Sequence, residues 1–431
     1  MPVGGSPAWA PSEEQLRVDA EINSVISWVP VPVPDGRAAG PLAGLTVGVK
    51  DNIEVGGVRS TCASAFLADH VADRDAPVVR RLREAGALVV ATLNLAEFAV
   101  GVTSQNSAAG GPRNPWDRRR VPAGSSGGSG AAVAAGLVDL ALGTDSGGSV
   151  RLPAAACGVV GLRPTPGLVD TTGVYPVSTG FDTVGPMART VELVERSFGV
   201  LSDLPRRPRP RPRVLGVPRH YVTDDVDPAI REAVDVMLGV LRDLGFEVVA
   251  VDVPAAESAQ DHVYTLLYAD LARVHHDRLC SQPELFQPAT LERVRLGLGI
   301  DEAARRDALE ARSEFRAGLR RVFEEVEVVV TPTLPVDVPL VDESLPVLAQ
   351  SARLGQLSYP WSLHAGPTLS VPVGFHPDSG MPIGAQLTAA PADEAALFAV
   401  GCAYQDVTEW HARRPRLSVA AHRPASRSIS S

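Results

Sequence analysis

Lysine is almost missing from this chain: of its 40 Lys+Arg residues only Lys50 is a lysine. Arginine carries surface charge equally well but stays protonated, whereas a buried lysine can release its proton. A single retained lysine therefore reads as a base. It closes the apolar run Leu45-Thr46-Val47-Gly48-Val49, which predicts an inner strand. Burial there lowers an ammonium pKa from about 10.4, while pairing with a carboxylate such as Asp51 opposes the shift. Cysteine is also sparse. Cys62, Cys157, Cys280 and Cys402 are scattered without CxxC spacing, which argues against a disulfide scaffold or a thiolate metal centre. The adjacent His275 and His276 point to different faces of a helix, with no third ligand nearby, so neither metal nor cofactor is expected. No apolar run reaches the about 18 residues of a membrane span, and Met1 to Pro11 lacks the basic start and apolar core of a signal peptide. A cytoplasmic protein without membrane contact is the expectation. Positive charge is in deficit as well: the net charge of -10 argues against a nucleic-acid surface.

What the chain has in quantity is glycine, serine and alanine between Val121 and Thr165. Two serine clusters stand out, Ala123-Gly124-Ser125-Ser126-Gly127-Gly128-Ser129 and Gly143-Thr144-Asp145-Ser146-Gly147-Gly148-Ser149-Val150-Arg151. Dense glycine leaves backbone N–H groups uncovered by side chains. A flexible linker would be polar on both sides, but these loops are embedded in Ala131-Ala132-Val133-Ala134-Ala135 and Ala154-Ala155-Ala156-Cys157. A phosphate cradle needs a lysine directly after its glycines, and a dinucleotide site needs G-x-G-x-x-G; neither is present. Ser129 to Ala135 predicts a helix and Leu137 to Leu142 a strand, which sets Ser125 and Ser149 on neighbouring turns.

Lys50, the Ser125-Ser126-Gly127-Gly128 loop and the Gly143 to Pro153 stretch together resemble the amidase signature family of serine hydrolases. The 24-residue separation of Ser125 and Ser149 and the lysine ahead of both match its pattern. So do Asn114-Pro115-Trp116, Gly161-Leu162-Arg163-Pro164-Thr165, Thr331-Pro332-Thr333, Leu369-Ser370-Val371-Pro372 and Trp410-His411. The resemblance implies that Ser149 is the nucleophile, Ser125 a bridging serine on a cis peptide, and Lys50 the general base. It further implies an oxyanion hole from the N–H groups of Ser146, Gly147, Gly148 and Ser149. Ser126, Asp145 and Arg151 are read as supports of the loops, Ser126 also orienting Lys50. Pocket candidates are Ser104, Gln105, Gly124, Tyr175, Phe181, Asp182, Ser362 and His364.

Helices alternate with short apolar strands, which favours an α/β layered fold. The family's version is one domain with a large mixed β-sheet covered by helices on both faces. We expect a single domain over residues 1–415, with a catalytic core at 40–203 and a second half at 214–415 that completes the sheet and shapes the pocket. An extended Pro/Arg connector at 204–213 and a disordered tail at 416–431 complete the reading. Glu13 to Ile26 and Ala76 to Ala85 predict helices. The expected activity is cleavage of a small carboxamide to acid plus ammonia or amine, through an acyl-enzyme. The alternatives are a glutamine-hydrolysing subunit of a tRNA-dependent amidotransferase, a biuret- or allophanate-type hydrolase, or an amide synthase using the same acyl-enzyme. The expected partner is a small-molecule amide, with no nucleic acid bound directly, no membrane, and a possible homodimer.

Overall fold

Short runs of β-branched and small apolar residues build the centre of the molecule. The computed structural model describes residues 8–32, 39–204, 211–220, 225–341 and 346–417. Residues 1–7, most of the expected connector (205–210) and the expected tail from 418 onward lie outside the described residues. β1 (Ala8–Trp9) and β3 (Val31–Pro32) form a small separate pair. The other strands are β2 (Val25–Trp28), β4 (Thr46–Lys50), β5 (Leu88–Leu93), β6 (Leu140–Asp145), β7 (Val160–Arg163) and β8 (Thr183–Ala188), then β9 (Val214–Pro218), β10 (Glu247–Val251), β11 (Val328–Pro332), β12 (Thr368–Phe375) and β13 (Pro382–Ala389). They form one 11-stranded sheet in the order β10-β9-β11-β13-β12-β7-β8-β6-β4-β5-β2. β4 is parallel to β5 and β6, β9 is parallel to β10 and β11, and the remaining pairs are antiparallel. The sheet thus runs unbroken through both halves of the chain.

Helices cover both faces, as buried strands of this kind require. On one face lie α2 (Pro77–Glu84), α5 (Val191–Leu201), α6 (Pro228–Asp243) and α13 (Glu394–Gln405), whose Leu82, Val194, Met237 and Leu397 share a core with Val47, Leu140, Leu369 and Leu387. The opposite face carries α1 (Glu13–Ile22), α3 (Gly127–Ala135) and α4 (Arg151–Cys157). A helical cap of α7 (Ala259–Val274), α8 (His276–Ser281), α9 (Pro288–Leu298), α10 (Glu302–Glu325), α11 (Val347–Gly355) and α12 (Tyr359–Leu363) borders the serine loops. Among the described residues no helix is long and apolar enough to cross a membrane.

One boundary differs from the sequence reading. The helix expected over Glu13 to Ile26 stops at Ile22, because Asn23 takes the left-handed conformation (φ 51°) and caps it. Val25–Trp28 then pairs with β5 as an edge strand. At the other end, Ser12 and Gln15 form a reciprocal capping box.

Register places the chemistry. Val49 faces Leu142 across the parallel β4/β6 pair, so Lys50 and the end of β6 emerge on one edge of the sheet. α3 starts directly after Ser125-Ser126 and α4 directly after Ser149-Val150. Two strand ends and two helix starts therefore meet at a single place.

Asp145 and Arg151 hold that meeting point together. Both side chains are 0% exposed; Arg151 Nε lies 3.0 Å from Asp145 Oδ2, and Arg163 Nε lies 3.4 Å from Oδ1. Burial by itself raises the Asp145 carboxyl, but the two guanidinium groups and the Val150 N–H outweigh it and hold it well below the ordinary carboxylate range. Arg151 also donates to Ser358 O at 2.9 Å and Ser362 Oγ at 2.7 Å, which ties α4 to α12. Removing one member of a buried pair strands the other's charge, a loss of about 3–5 kcal/mol. Arg151→Met is accordingly expected to lower the thermal unfolding midpoint clearly, whereas the exposed Arg80→Met, which breaks only the Arg80–Glu84 surface pair, leaves it nearly unchanged. Equal midpoints in the two variants, read by circular dichroism, contradict the assignment.

Candidate active site

Lys50 ends its strand in complete burial, 0% exposed. Its Nζ lies 2.8 Å from Ser125 Oγ, 2.8 Å from Thr144 Oγ1 and 3.4 Å from Thr144 O. Desolvation lowers its pKa to about 7, against the opposing pull of Asp145 and Asp182. The Asp51 carboxylate does not pair with it; that side chain accepts instead from the Thr61 N–H and hydroxyl. A neutral amine has two N–H bonds and one lone pair. In that form, with its N–H bonds on the two oxygens of Thr144, the amine can accept from the Ser125 hydroxyl across the same 2.8 Å that the ammonium would span as a donor.

The peptide between Gly124 and Ser125 is cis. Gly124 is held too closely for a side chain: a Cβ there would stand 2.6 Å from both Gly101 O and Ser104 Oγ. Ser104 Oγ in turn donates toward Ala123 O and Ser125 O, each at 3.1 Å, and accepts from Gly127 N. Ser126 Oγ donates to Thr144 O at 3.2 Å, and Ser126 N to Ser149 O, which joins the two serine loops.

Ser149 Oγ makes no hydrogen bond among the described residues and lines a narrow cavity of about 60 Å³ together with Ser146 and Gly147. Of the four N–H groups expected to form an oxyanion hole, Gly148 N–H is already taken, donating to Asp145 Oδ1 at 2.8 Å. Those of Ser146, Gly147 and Ser149 carry no hydrogen bond among the described residues. Gly148 itself has φ +132°, and a Cβ on it would meet Ser358 Oγ at 2.5 Å. This is a conformation and a space that only glycine fits.

The remaining expected pocket residues divide by position. Ser146 Oγ donates to Asp182 Oδ1 at 2.5 Å, so Asp182 stands directly behind the cavity wall. Gln105 is spent within its own loop, donating to Thr103 O and Pro112 O. Phe181 is buried, with the Arg312 guanidinium 5.4 Å from its ring centre. Tyr175 accepts from Arg278 at 2.7 Å and lines a separate cavity with Asn52, Cys62 and His70. Ser362 is the acceptor for Arg151. His364 is buried, its Nε2 3.0 Å from Ala389 O and its ring stacked on Phe323. Gln105, Tyr175, Ser362 and His364 thus lie outside the Ser149 cavity. His275 is packed among Phe98, Tyr175 and Phe286.

Other residues at the site went unnoticed in the sequence. Thr144 precedes Asp145 inside the second glycine cluster, and only the packed structure shows that it faces Lys50. Asn52 adds a donor to Thr144 Oγ1 at 3.2 Å. The cavity walls are Val177, Leu267 and Leu271 with three tyrosines, Tyr264, Tyr268 and Tyr359. Its one cationic lining residue is Arg293, 3% exposed, which donates to Ala289 O at 2.8 Å and Ser351 Oγ at 2.5 Å. Among the described residues no carboxylate forms an ion pair with it. One arginine among 39 leaves no local signal of such a role. A wider depression of about 1010 Å³ beside Arg219, Asp252 and Arg353 touches none of the serine-loop residues.

Comparison with known proteins places this geometry. The family model described as Amidase matches residues 32–398. A glutamyl-tRNA(Gln) amidotransferase subunit of Symbiobacterium thermophilum is 38% identical, covering 88% of this chain and 86% of the relative. The crystal structure of the corresponding glutamyl-tRNA(Gln) amidotransferase subunit of Thermotoga maritima superposes with a TM-score of 0.81 at 30% identity, covering 92% of this chain and 91% of that one. An inhibitor-bound chain from a vestigial protein complex, connected with the origins of an s-triazine catabolic enzyme, gives 0.82 at 31% identity, covering 91% and 94%. These relatives overturn the expectation that a small-molecule amide, with no nucleic acid and a possible second copy of the chain, makes up the whole set of partners. Two of them are named as subunits of an amidotransferase for glutamyl-tRNA(Gln), and the third belongs to a protein complex. The buried lysine, the cis-linked serine and the open serine of the glycine loop accordingly sit in a chain that belongs to the amidase family, an enzyme that cleaves amide C–N bonds.

Proposed function

We propose that the chain is the amide-cleaving subunit of a larger assembly, that it acts on a primary amide bearing a carboxylate, and that glutamine is this amide. The observation that carries the substrate reading is Arg293, a buried guanidinium without a carboxylate partner among the described residues, in the same cavity as Ser149. A planar guanidinium matches a carboxylate in two parallel hydrogen bonds. The names of the relatives support the reading as part of an assembly.

In this reading neutral Lys50 takes the proton of Ser125 while Ser125 takes that of Ser149, and Ser149 Oγ attacks the amide carbon. The tetrahedral oxyanion is held by the N–H groups of Gly147 and Ser149, with Ser146 beside them, each donor contributing about 2.7–4 kcal/mol in comparable sites. The proton returns along the relay to the leaving nitrogen, ammonia departs, and water, deprotonated by the same relay, hydrolyses the ester. The partner consumes the ammonia.

Ammonia release from glutamine, asparagine and a carboxylate-free amide such as butyramide tests this, with wild type beside Ser149→Ala. The expected result is release from glutamine that disappears in the variant. Faster release from butyramide than from glutamine rules out the carboxylate reading.

A further inference from the structure

The Ser146–Asp182 contact has no place in the proton relay, yet it joins two walls of the site. Asp182 Oδ1 accepts the Ser146 hydroxyl at 2.5 Å, and Oδ2 accepts the backbone N–H groups of Val177 at 2.9 Å and Ser178 at 3.0 Å. Ser146 is the first residue of the oxyanion loop after β6, and Val177 lines the cavity opposite. Ser178 is itself held from the far side, its hydroxyl donating to Asp270, which is paired with Arg273. The loop 177–182 is anchored at its other end by Arg163, whose Nη2 donates to Phe181 O at 3.1 Å. One carboxylate therefore fixes the distance between the oxyanion donors and the wall against which the substrate rests.

We propose that Asp182 is a positioning residue for acyl-enzyme formation, acting through Ser146 to set the oxyanion loop and through its negative charge on Lys50. This rests on the roles given above to Ser149 and Lys50. The charged groups around it are Lys50 and Arg163, with Asp145 ion-paired to Arg151 and Arg163, Asp270 to Arg273, and Arg312 over the Phe181 ring. Cys62 also borders Lys50. Burial raises the Asp182 carboxyl to about 6, the Ser146, Val177 and Ser178 hydrogen bonds and the Lys50 charge limiting the rise. Above that pH it is ionised, and its charge favours the protonated form of Lys50, as does that of Asp145.

The two actions separate by substitution. Asparagine keeps an oxygen for the two N–H groups and an amide nitrogen for Ser146 Oγ, so Asp182→Asn preserves the tie and deletes the charge. Ser146→Ala deletes the tie and keeps the charge. The readout is the rate at which phenylmethanesulfonyl fluoride labels Ser149, measured across pH 5 to 9, since it needs no knowledge of the substrate. Ser146→Ala is expected to slow labelling about 10- to 100-fold, the scale of a small misplacement at a reacting centre, with its acid limb where wild type has it. Ser146→Thr is expected to restore the rate, which separates positioning from a folding defect. Asp182→Asn is expected to move the acid limb to lower pH, because Lys50 then loses a neighbouring negative charge. Labelling of Ser149 in both variants at wild-type rates with an unmoved limb overturns the inference. Absence of labelling in wild type overturns instead the assignment of Ser149 on which it rests.

Discussion

Lys50→Arg lowers kcat/KM by about 10,000-fold, the upper range for losing a general base, although it preserves the charge. Arginine cannot release its proton in a protein, and its fork must fit where a single nitrogen now sits 2.8 Å from both Ser125 Oγ and Thr144 Oγ1. Burial also sets the pH dependence of the wild type. It lowers Lys50 to about 7, and the proposed relay needs the neutral amine. Activity therefore rises as pH increases through about 7 and falls below it as the ammonium forms. Steady-state kinetics from pH 5 to 9, on wild type and variant with matched circular dichroism, check both statements. A variant retaining a tenth of the activity removes the lysine from the mechanism.

The second large effect belongs to Arg293. Arg293→Leu removes the one cation that lines the Ser149 cavity among the described residues, and we expect kcat/KM for glutamine to fall about 100- to 1000-fold, the scale for losing a desolvated charge partner. Most of the fall appears in KM if the contact is equal in ground and transition states. Butyramide has no carboxylate to lose, so its kcat/KM changes little, and the preference between the two amides collapses or inverts. Equal losses on both amides point to a structural role through Ala289 and Ser351, to which Arg293 is bonded.

The two residues illustrate what a sequence of this kind discloses. Lys50, Ser125 and Ser149 are visible because rarity and glycine density mark them, and glycine density also marks Gly124 and Gly148, which have no room for a side chain. The alternation of helices and strands is legible for the same local reasons, since β-branched runs such as Val328 to Val330 have nowhere to go but a covered sheet. Asn23 shows the limit: an apolar Ile26 continues the helical pattern, but a left-handed residue three positions earlier ends it. The cavity walls are harder still. Arg293 and Tyr359 meet Ser149 only after some 140 and 210 residues of intervening chain have folded. Nothing in their neighbours distinguishes them from other arginines and tyrosines. Asp182 reads as a pocket candidate, but its partner Ser146, 36 residues away, is apparent only in three dimensions.

The complete burial of Lys50 turns the protein into its own reporter of unfolding. In the Ser149→Ala variant, which removes the serine that such a reagent would acylate, an amine-reactive acylating reagent meets no lysine on the folded surface. The ε-amine is acylated when β4 separates from β5 and β6 and exposes it, so the fraction of chains modified at Lys50 counts opening events one molecule at a time. Its rate of appearance across increasing urea measures how often this part of the sheet comes apart, without any engineered probe.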